Sequence, residues 1–276
     1  MTETREPTAS RGSRLGLALA VVVWLLGIGV FLLGARRYLP EVASLHGAGI
    51  DVMLIYLLVT TGSLIVLGHV ILGYFILRFS RGREASPVLP GARAQRFWSV
   101  APAILMTVVA EGGVLVLGIP VFSQLYVQEP PSEALVVEVT AEQFTWNVRY
   151  PGDDGEFGRT EPALISQENP LGIDASDPAA ADDIQDLAVI YAPVGRPLLV
   201  KLRAKDVLHS FYLPYHRIKQ DAVPGMTIDL WFVPTREGEF DIACAELCGF
   251  GHYQMRGFLN VVSEAEFDRW LREKKR

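Results

Sequence analysis

Apolar positions are distributed unevenly along the chain. Three long runs fall before residue 127: 15–35 and 53–77 without a charge, and 97–126 with only Glu111. Each reaches the roughly 20 residues that a helix needs to cross a hydrocarbon core. They predict membrane-spanning helices over 15–35, 53–78 and 97–126. After residue 129 the apolar runs shorten to five to eight residues and alternate with polar ones, at 135–141, 143–150, 187–191, 197–203, 207–213, 226–233, 239–243 and 257–262. That is the period of half-buried strands, and turn signals such as Pro224-Gly225 and Glu237-Gly238 separate them. The expectation for 129–276 is an all-β barrel or sandwich. A polar stretch at 152–186, rich in Asp and Glu, interrupts the alternation and reads as a long surface insertion. The chain closes with Ser263-Glu-Ala-Glu266, a capping box, and then Phe267, Trp270 and Leu271 at helical spacing, which predicts a short terminal helix.

Charge orients this plan. Arg78, Arg81, Arg83, Arg93 and Arg96, opposed only by Glu84, lie between the second and third runs, and such a loop reads as cytoplasmic. The tail 1–14 is then cytoplasmic as well, and the domain 129–276 lies outside. Arg11 and Arg14 ahead of the first run also fit a signal sequence that is removed after export. The run is longer than a signal core and no small-x-small pattern follows it, which favours a retained helix. The net charge of -6 excludes the basic footprint of a nucleic-acid binder and suits a basic partner. The chain has 2 cysteines, both in one loop, so there is no disulfide framework, and without Cys-x-x-Cys-His no covalently attached haem is expected.

That loop reads Cys244-Ala-Glu246-Leu-Cys248-Gly-Phe-Gly-His252-Tyr-Gln-Met255. Two thiols, an imidazole and a thioether converge there, and His209 on the strand 207–213 supplies a distant second imidazole. Soft and borderline donors of this kind suit copper far better than calcium or magnesium. Zinc competes, because two cysteines with two histidines are also a zinc set; the methionine and the three-residue gap between the cysteines favour copper. Without a metal, the two cysteines would form a disulfide or simply pack in a buried loop.

With these residues the sequence resembles subunit II of the haem-copper oxidases, the cytochrome c oxidase family. The resemblance runs through Asp206-Val-Leu-His209-Ser-Phe, Lys219-Gln-Asp221-Ala-Val-Pro224-Gly225 and the Cys244 to Met255 loop, with Trp98-Ser-Val-Ala-Pro102 at the start of the third run. It implies a cupredoxin Greek-key fold holding the binuclear CuA copper centre. Cys244 and Cys248 would bridge both coppers, His209 and Met255 would complete one, and His252 with the backbone carbonyl of Glu246 the other. The Glu246 carboxylate would help subunit I hold magnesium or manganese. The chain would carry no haem. It would take electrons from a c-type cytochrome or another periplasmic donor and pass them to haem in subunit I, where a proton-translocating oxidase of a bacterial-type cell membrane reduces oxygen to water.

Several positions depart from the family. Phe144 stands where the family usually has the first of two tryptophans, the point at which electrons enter; Phe144, Trp146 and Tyr150 read either as an apolar docking surface or as strand core. Gln95 replaces a glutamate that often marks the mouth of a proton pathway. Glu111, inside the third run, reads as a polar group directed at subunit I or as a neutral glutamate at a helix interface. His46 and His69 receive no role. The first span is additional to the usual two, and the acidic insertion 152–186 would steer a basic cytochrome or be a solvated loop. Two other functions fit the copper loop: the small subunit of a haem-copper nitric oxide reductase, and a membrane-tethered copper chaperone. A quinol-oxidising relative would have lost the copper ligands.

Overall fold

The computed structural model describes residues 9–34, 39–80 and 91–275; the first eight residues of the expected tail, and Arg81, Arg83 and Glu84 of the arginine-rich loop, lie outside them. The chain forms two units, one built on the long helices up to Ile119, the other on Leu39–Ile50 with the chain from Pro120 onward.

In the first unit, helix α1 spans Ala9–Gly34 and α2 spans Gly47–Phe79, while α3 (Ala92–Met106) and α4 (Gly112–Phe122) belong to one stretch, Ala92–Val127. The described residues thus include three helices long and apolar enough to cross a membrane. Close packing of α1 on α2 rests on glycine: a Cβ at Gly27 would meet His69, at Gly62 Phe31 and at Gly73 Trp24, all within 2.6 Å. Small residues let neighbouring helices approach in this way, and the Trp24 indole donates to the Val70 carbonyl at 3.2 Å. A π turn, Thr107–Glu111, joins α3 to α4. Within it the Val109 carbonyl accepts from the Tyr56 hydroxyl of α2, whose ring lies over Gly113. Glu111 closes that turn and is exposed in the single chain.

The second unit is a sandwich of two five-stranded sheets. The first contains β1 (Leu135–Glu142), β2 (Thr145–Tyr150), β3 (Ile184–Leu187), β5 (Leu198–Ala204) and β8 (Ile228–Phe232), in the order β3-β2-β1-β5-β8. The second contains β4 (Val189–Pro193), β6 (His209–Leu213), β7 (Ile218–Ala222), β9 (Gly238–Cys244) and β10 (Arg256–Val262), in the order β4-β10-β9-β6-β7. β1 runs parallel to β5 and β4 parallel to β10; the other pairs are antiparallel. Alternation decides which side chains meet between the sheets. Val137, Val139 and Ala141 of β1 and Trp146, Val148 and Tyr150 of β2 turn inward, against Phe211, Leu213, Ile242 and Leu259.

That register corrects the docking surface expected of Trp146 and Tyr150. They are 0% and 1% exposed. The Trp146 ring stands edge-on to Phe211 at 5.4 Å, and Tyr150 donates to the Tyr191 carbonyl and accepts from its amide. Helix α5 (Glu264–Lys274) is capped by Ser263, whose hydroxyl accepts from the Glu266 amide, and seals this end by stacking Trp270 on Tyr191 at 4.7 Å.

The insertion 152–186 is more than surface. It lies over the outward face of β1 and β2, where Arg149 is buried and donates to Glu138 at 2.8 Å, to Asp183 at 3.0 Å and to the Gly158 carbonyl at 2.8 Å. Its own Leu171 and Ile184 are buried, and it supplies β3. Many of its acids are engaged within the domain: Asp174 with Arg159, Asp153 with Lys275 and Asp186 with Lys274. The Arg159 guanidinium, with Ser176, holds the Asp174 carboxyl down at about 2.

The segment between α1 and α2 also belongs to the sandwich. Ala43 donates to the Tyr215 carbonyl and Leu45 to that of Val233, the Ser44 hydroxyl donates to the His216 carbonyl at 2.6 Å, and His46 meets Trp231 edge-on at 4.8 Å. His46, which the sequence left without a role, is therefore a packing residue whose pKa is lowered by burial.

Candidate metal centre

Strands β6 and β9 lie side by side, with Phe211 opposite Cys244. This places His209, the first residue of β6, beside the end of β9, where Cys244 opens the loop to β10. The loop is closed at its base by the Cys244 amide donating to the Met255 carbonyl at 3.2 Å, and tied to β6 by the Ala245 amide donating to Ser210 at 2.9 Å. A turn at His252–Gln254 brings His252 and Met255 back over Cys248. Gly249 takes φ +135, a conformation that side chains disfavour.

The predicted donors converge. Cys244 Sγ and Cys248 Sγ are 3.8 Å apart, Cys244 Sγ is 3.9 Å from His209 Nδ1 and 3.2 Å from the Glu246 carbonyl oxygen, and Cys248 Sγ is 3.6 Å from His252 Nδ1 and 3.7 Å from Met255 Sδ. Both cysteines are free, and their separation is far beyond the roughly 2 Å of a disulfide. The donor atoms of His209, Cys244 and Cys248 lie within 4.8 Å of one another. Two sulfurs at the centre, each flanked by an imidazole, form a soft donor set that fits copper. His209, Cys244, Cys248 and Met255 are buried, which shields the site from water. Burial and the neighbouring Cys244 push the Cys248 thiol up to about 11, so a bound metal must displace its proton.

Around these donors is a shell that sequence reasoning did not assign. The Asp206 carboxylate accepts from His209 Nε2 at 2.8 Å and also from the Gln143 and Val207 amides. Burial opposes its ionisation, but these hydrogen bonds prevail and hold its pKa below the ordinary carboxylate range. An acid three residues ahead of a ligand histidine was the available signal. The Trp146 ring lies 6.3 Å from that of His209. Phe144 is half-buried against the loop: a Cβ at Gly251 would lie 2.5 Å from its ring. Glu246 is half-exposed, and the loop turns Leu247, Phe250 and Tyr253 outward, Phe250 to 95% exposure. An apolar rim of this kind marks a contact surface.

A two-sheet sandwich with a soft-metal site at the end of adjacent strands, carried behind three membrane-length helices, defines a membrane-anchored cupredoxin. Comparison with known proteins specifies the class further. Residues 135–262 match the family described as the periplasmic domain of cytochrome c oxidase subunit II. The alternative cytochrome c oxidase subunit 2 of Bradyrhizobium diazoefficiens is 34% identical over 264 residues, covering 94% of this chain and 92% of that protein. Cytochrome c oxidase subunit 2 of Cereibacter sphaeroides is 28% identical over 233 residues, covering 79% and 73%. Among solved structures, the periplasmic domain of subunit II of cytochrome oxidase (CoxB) of Bradyrhizobium japonicum is 30% identical, covers 53% of this chain and 97% of that one, and has a TM-score of 0.40. The chain belongs to the cytochrome c oxidase subunit II family, and so is a subunit of an oxidoreductase.

Proposed function

We propose that this chain receives electrons for a cytochrome c oxidase at a binuclear CuA centre held by His209, Cys244, Cys248, His252, Met255 and the Glu246 carbonyl. The observation that carries the reading is the convergence of two thiols, two imidazoles, a thioether and a carbonyl, all from two adjoining segments. Held by these residues, a copper pair would supply one-electron redox chemistry between a c-type cytochrome or similar donor and haem in subunit I. The protein's part is to hold the donors still. Strands β6, β9 and β10 fix the ends of both segments, and burial excludes water, so little need rearrange when charge arrives or leaves. Phe144, against the loop glycines, is the side chain through which electrons would enter. The Glu246 carboxylate would supply one oxygen to magnesium or manganese, the remaining ligands coming from subunit I and water.

In this reading helices α1, α2 and the α3–α4 stretch span a bacterial-type cell membrane with the sandwich outside. Packing of 39–50 on the sandwich supports an external loop between α1 and α2, which agrees with a cytoplasmic arginine-rich loop between α2 and α3. The glycine contacts between α1 and α2 support a retained first span; intact mass of the purified subunit tests it, a chain beginning after residue 35 being the contrary result.

The function is tested by giving the purified complex reduced c-type cytochrome. Oxygen consumption coupled to its oxidation supports the proposal. Turnover with nitric oxide and not oxygen would instead assign the chain to a nitric oxide reductase, and a single copper that transfers to other proteins would make it a chaperone.

A further inference from the structure

The ligands arrive on two separate segments, the start of β6 and the β9–β10 loop, and one residue outside both is bonded to each. The backbone amide of Gln143, in the turn between β1 and β2, donates to Asp206 Oδ2 at 2.8 Å, while Asp206 Oδ1 accepts from His209 Nε2 at 2.8 Å. The side-chain amide of the same Gln143 donates to the Cys248 carbonyl at 2.5 Å. The neighbouring loop is shaped to receive it. A Cβ at Gly249 would come within 2.6 Å of Gln143 Nε2, and one at Gly251 would strike the ring of Phe144.

Resting on the copper reading above, we infer that Gln143 is a positioning residue that braces the His209 segment against the Cys248 loop and thereby tunes the metal centre. Its amide N–H steadies the carboxylate that orients the His209 ring. Its side chain fixes the carbonyl of a sulfur ligand's own residue and so restrains how Cys248 faces the centre. Partners one shell out from a metal commonly change affinity or activity 10- to 100-fold when removed, because they orient the ligands and set their basicity. The turn joins β1 and β2, on the other sheet from β6 and β9.

The test uses the full chain, copper-loaded, with two variants. Gln143→Met keeps the length of the side chain, its neutrality and the backbone amide, and removes the side-chain carboxamide with its donor to the Cys248 carbonyl. Gln143→Lys restores a nitrogen donor. The readouts are copper affinity by competition titration, the reduction potential, the electron paramagnetic spectrum and the melting temperature of the metal-free chain. In Gln143→Met we expect the two-copper spectrum to persist, affinity to fall about tenfold, the potential to move from the wild-type value, and the metal-free melting temperature to stay unchanged, with Gln143→Lys returning affinity and potential toward wild type. Wild-type affinity and potential in Gln143→Met overturn the brace and leave the copper reading intact. A wild-type chain that holds only one metal overturns both.

Discussion

His209 Nε2 donates to the Asp206 carboxylate at 2.8 Å, which turns Nδ1 of the same ring toward Cys244 Sγ, 3.9 Å away. A histidine three residues beyond its own orienting acid therefore has its tautomer and direction fixed before any metal arrives.

Removal of that acid should be felt at the metal and little elsewhere. Asp206→Ala is expected to weaken copper binding by about 10- to 100-fold, with Asp206→Asn, which keeps one acceptor oxygen, between it and wild type. Competition titration measures the series; equal affinity in all three proteins would show that the ring is held by packing alone.

The buried Arg149 makes a different demand. Its guanidinium is 2% exposed and faces Glu138 and Asp183, also buried. Arg149→Met leaves buried Asp183 without its cation and Glu138 with only Arg203, and loss of one partner of a buried ion pair costs about 3–5 kcal/mol. A lowered melting temperature is expected, together with faster proteolysis within 152–186, since this pair anchors the insertion. Additional Glu138→Gln and Asp183→Asn changes should restore part of the loss, and no recovery would contradict the charge argument.

His216 gives the domain a predictable acid sensitivity. It is fully buried between Phe232 and Phe240, neither ring nitrogen has a hydrogen-bond partner, and burial, aided by Arg236 and Arg217, lowers its pKa to about 3. The unfolded chain takes up a proton below its ordinary 6.5 and the folded chain does not, so this residue destabilises the fold progressively as pH falls from 6.5 toward 3. The limiting slope is about 1.4 kcal/mol per pH unit. His216→Leu should flatten that part of the stability curve, as read by denaturant unfolding at several pH values; an unchanged slope would place the proton elsewhere.

Phe144 and Trp146, two residues apart, should behave oppositely. Trp146→Ala empties a large core site and is expected to cost about 3–5 kcal/mol, seen as a lower melting temperature. Phe144→Ala should leave folding and copper content near wild type but slow reduction by the cytochrome, measured by stopped flow. Unchanged reduction would remove Phe144 from the electron path.

The sequence made the two-part plan legible because a 20-residue apolar run and a seven-residue alternating one differ so plainly. It also named the five side chains that the structure brings together, His209, Cys244, Cys248, His252 and Met255, since a loop of soft side chains with that spacing has few other uses. What escaped it follows from geometry that no local pattern encodes. Strand β7, Ile218–Ala222, buries only its ends and shows Lys219 and Asp221 to solvent, so five residues carry too few apolar positions to read as a strand. Strand β3 hides inside the acidic insertion for the same reason. Trp146 and Tyr150 were readable as surface or core, and only the register of β2 against β1 decided for core. The brace through Gln143 joins residues 63 and 105 positions apart, a separation at which sequence alone offers no signal.

The central claim is that two coppers share the thiols of Cys244 and Cys248. Electron paramagnetic resonance of the copper-loaded full chain tests it most directly, with Cys248→Ser as the control that should lose the signal. One unpaired electron split by two equivalent copper nuclei, at two coppers per chain, is the predicted result; a single-copper spectrum, or one metal per chain, would contradict it.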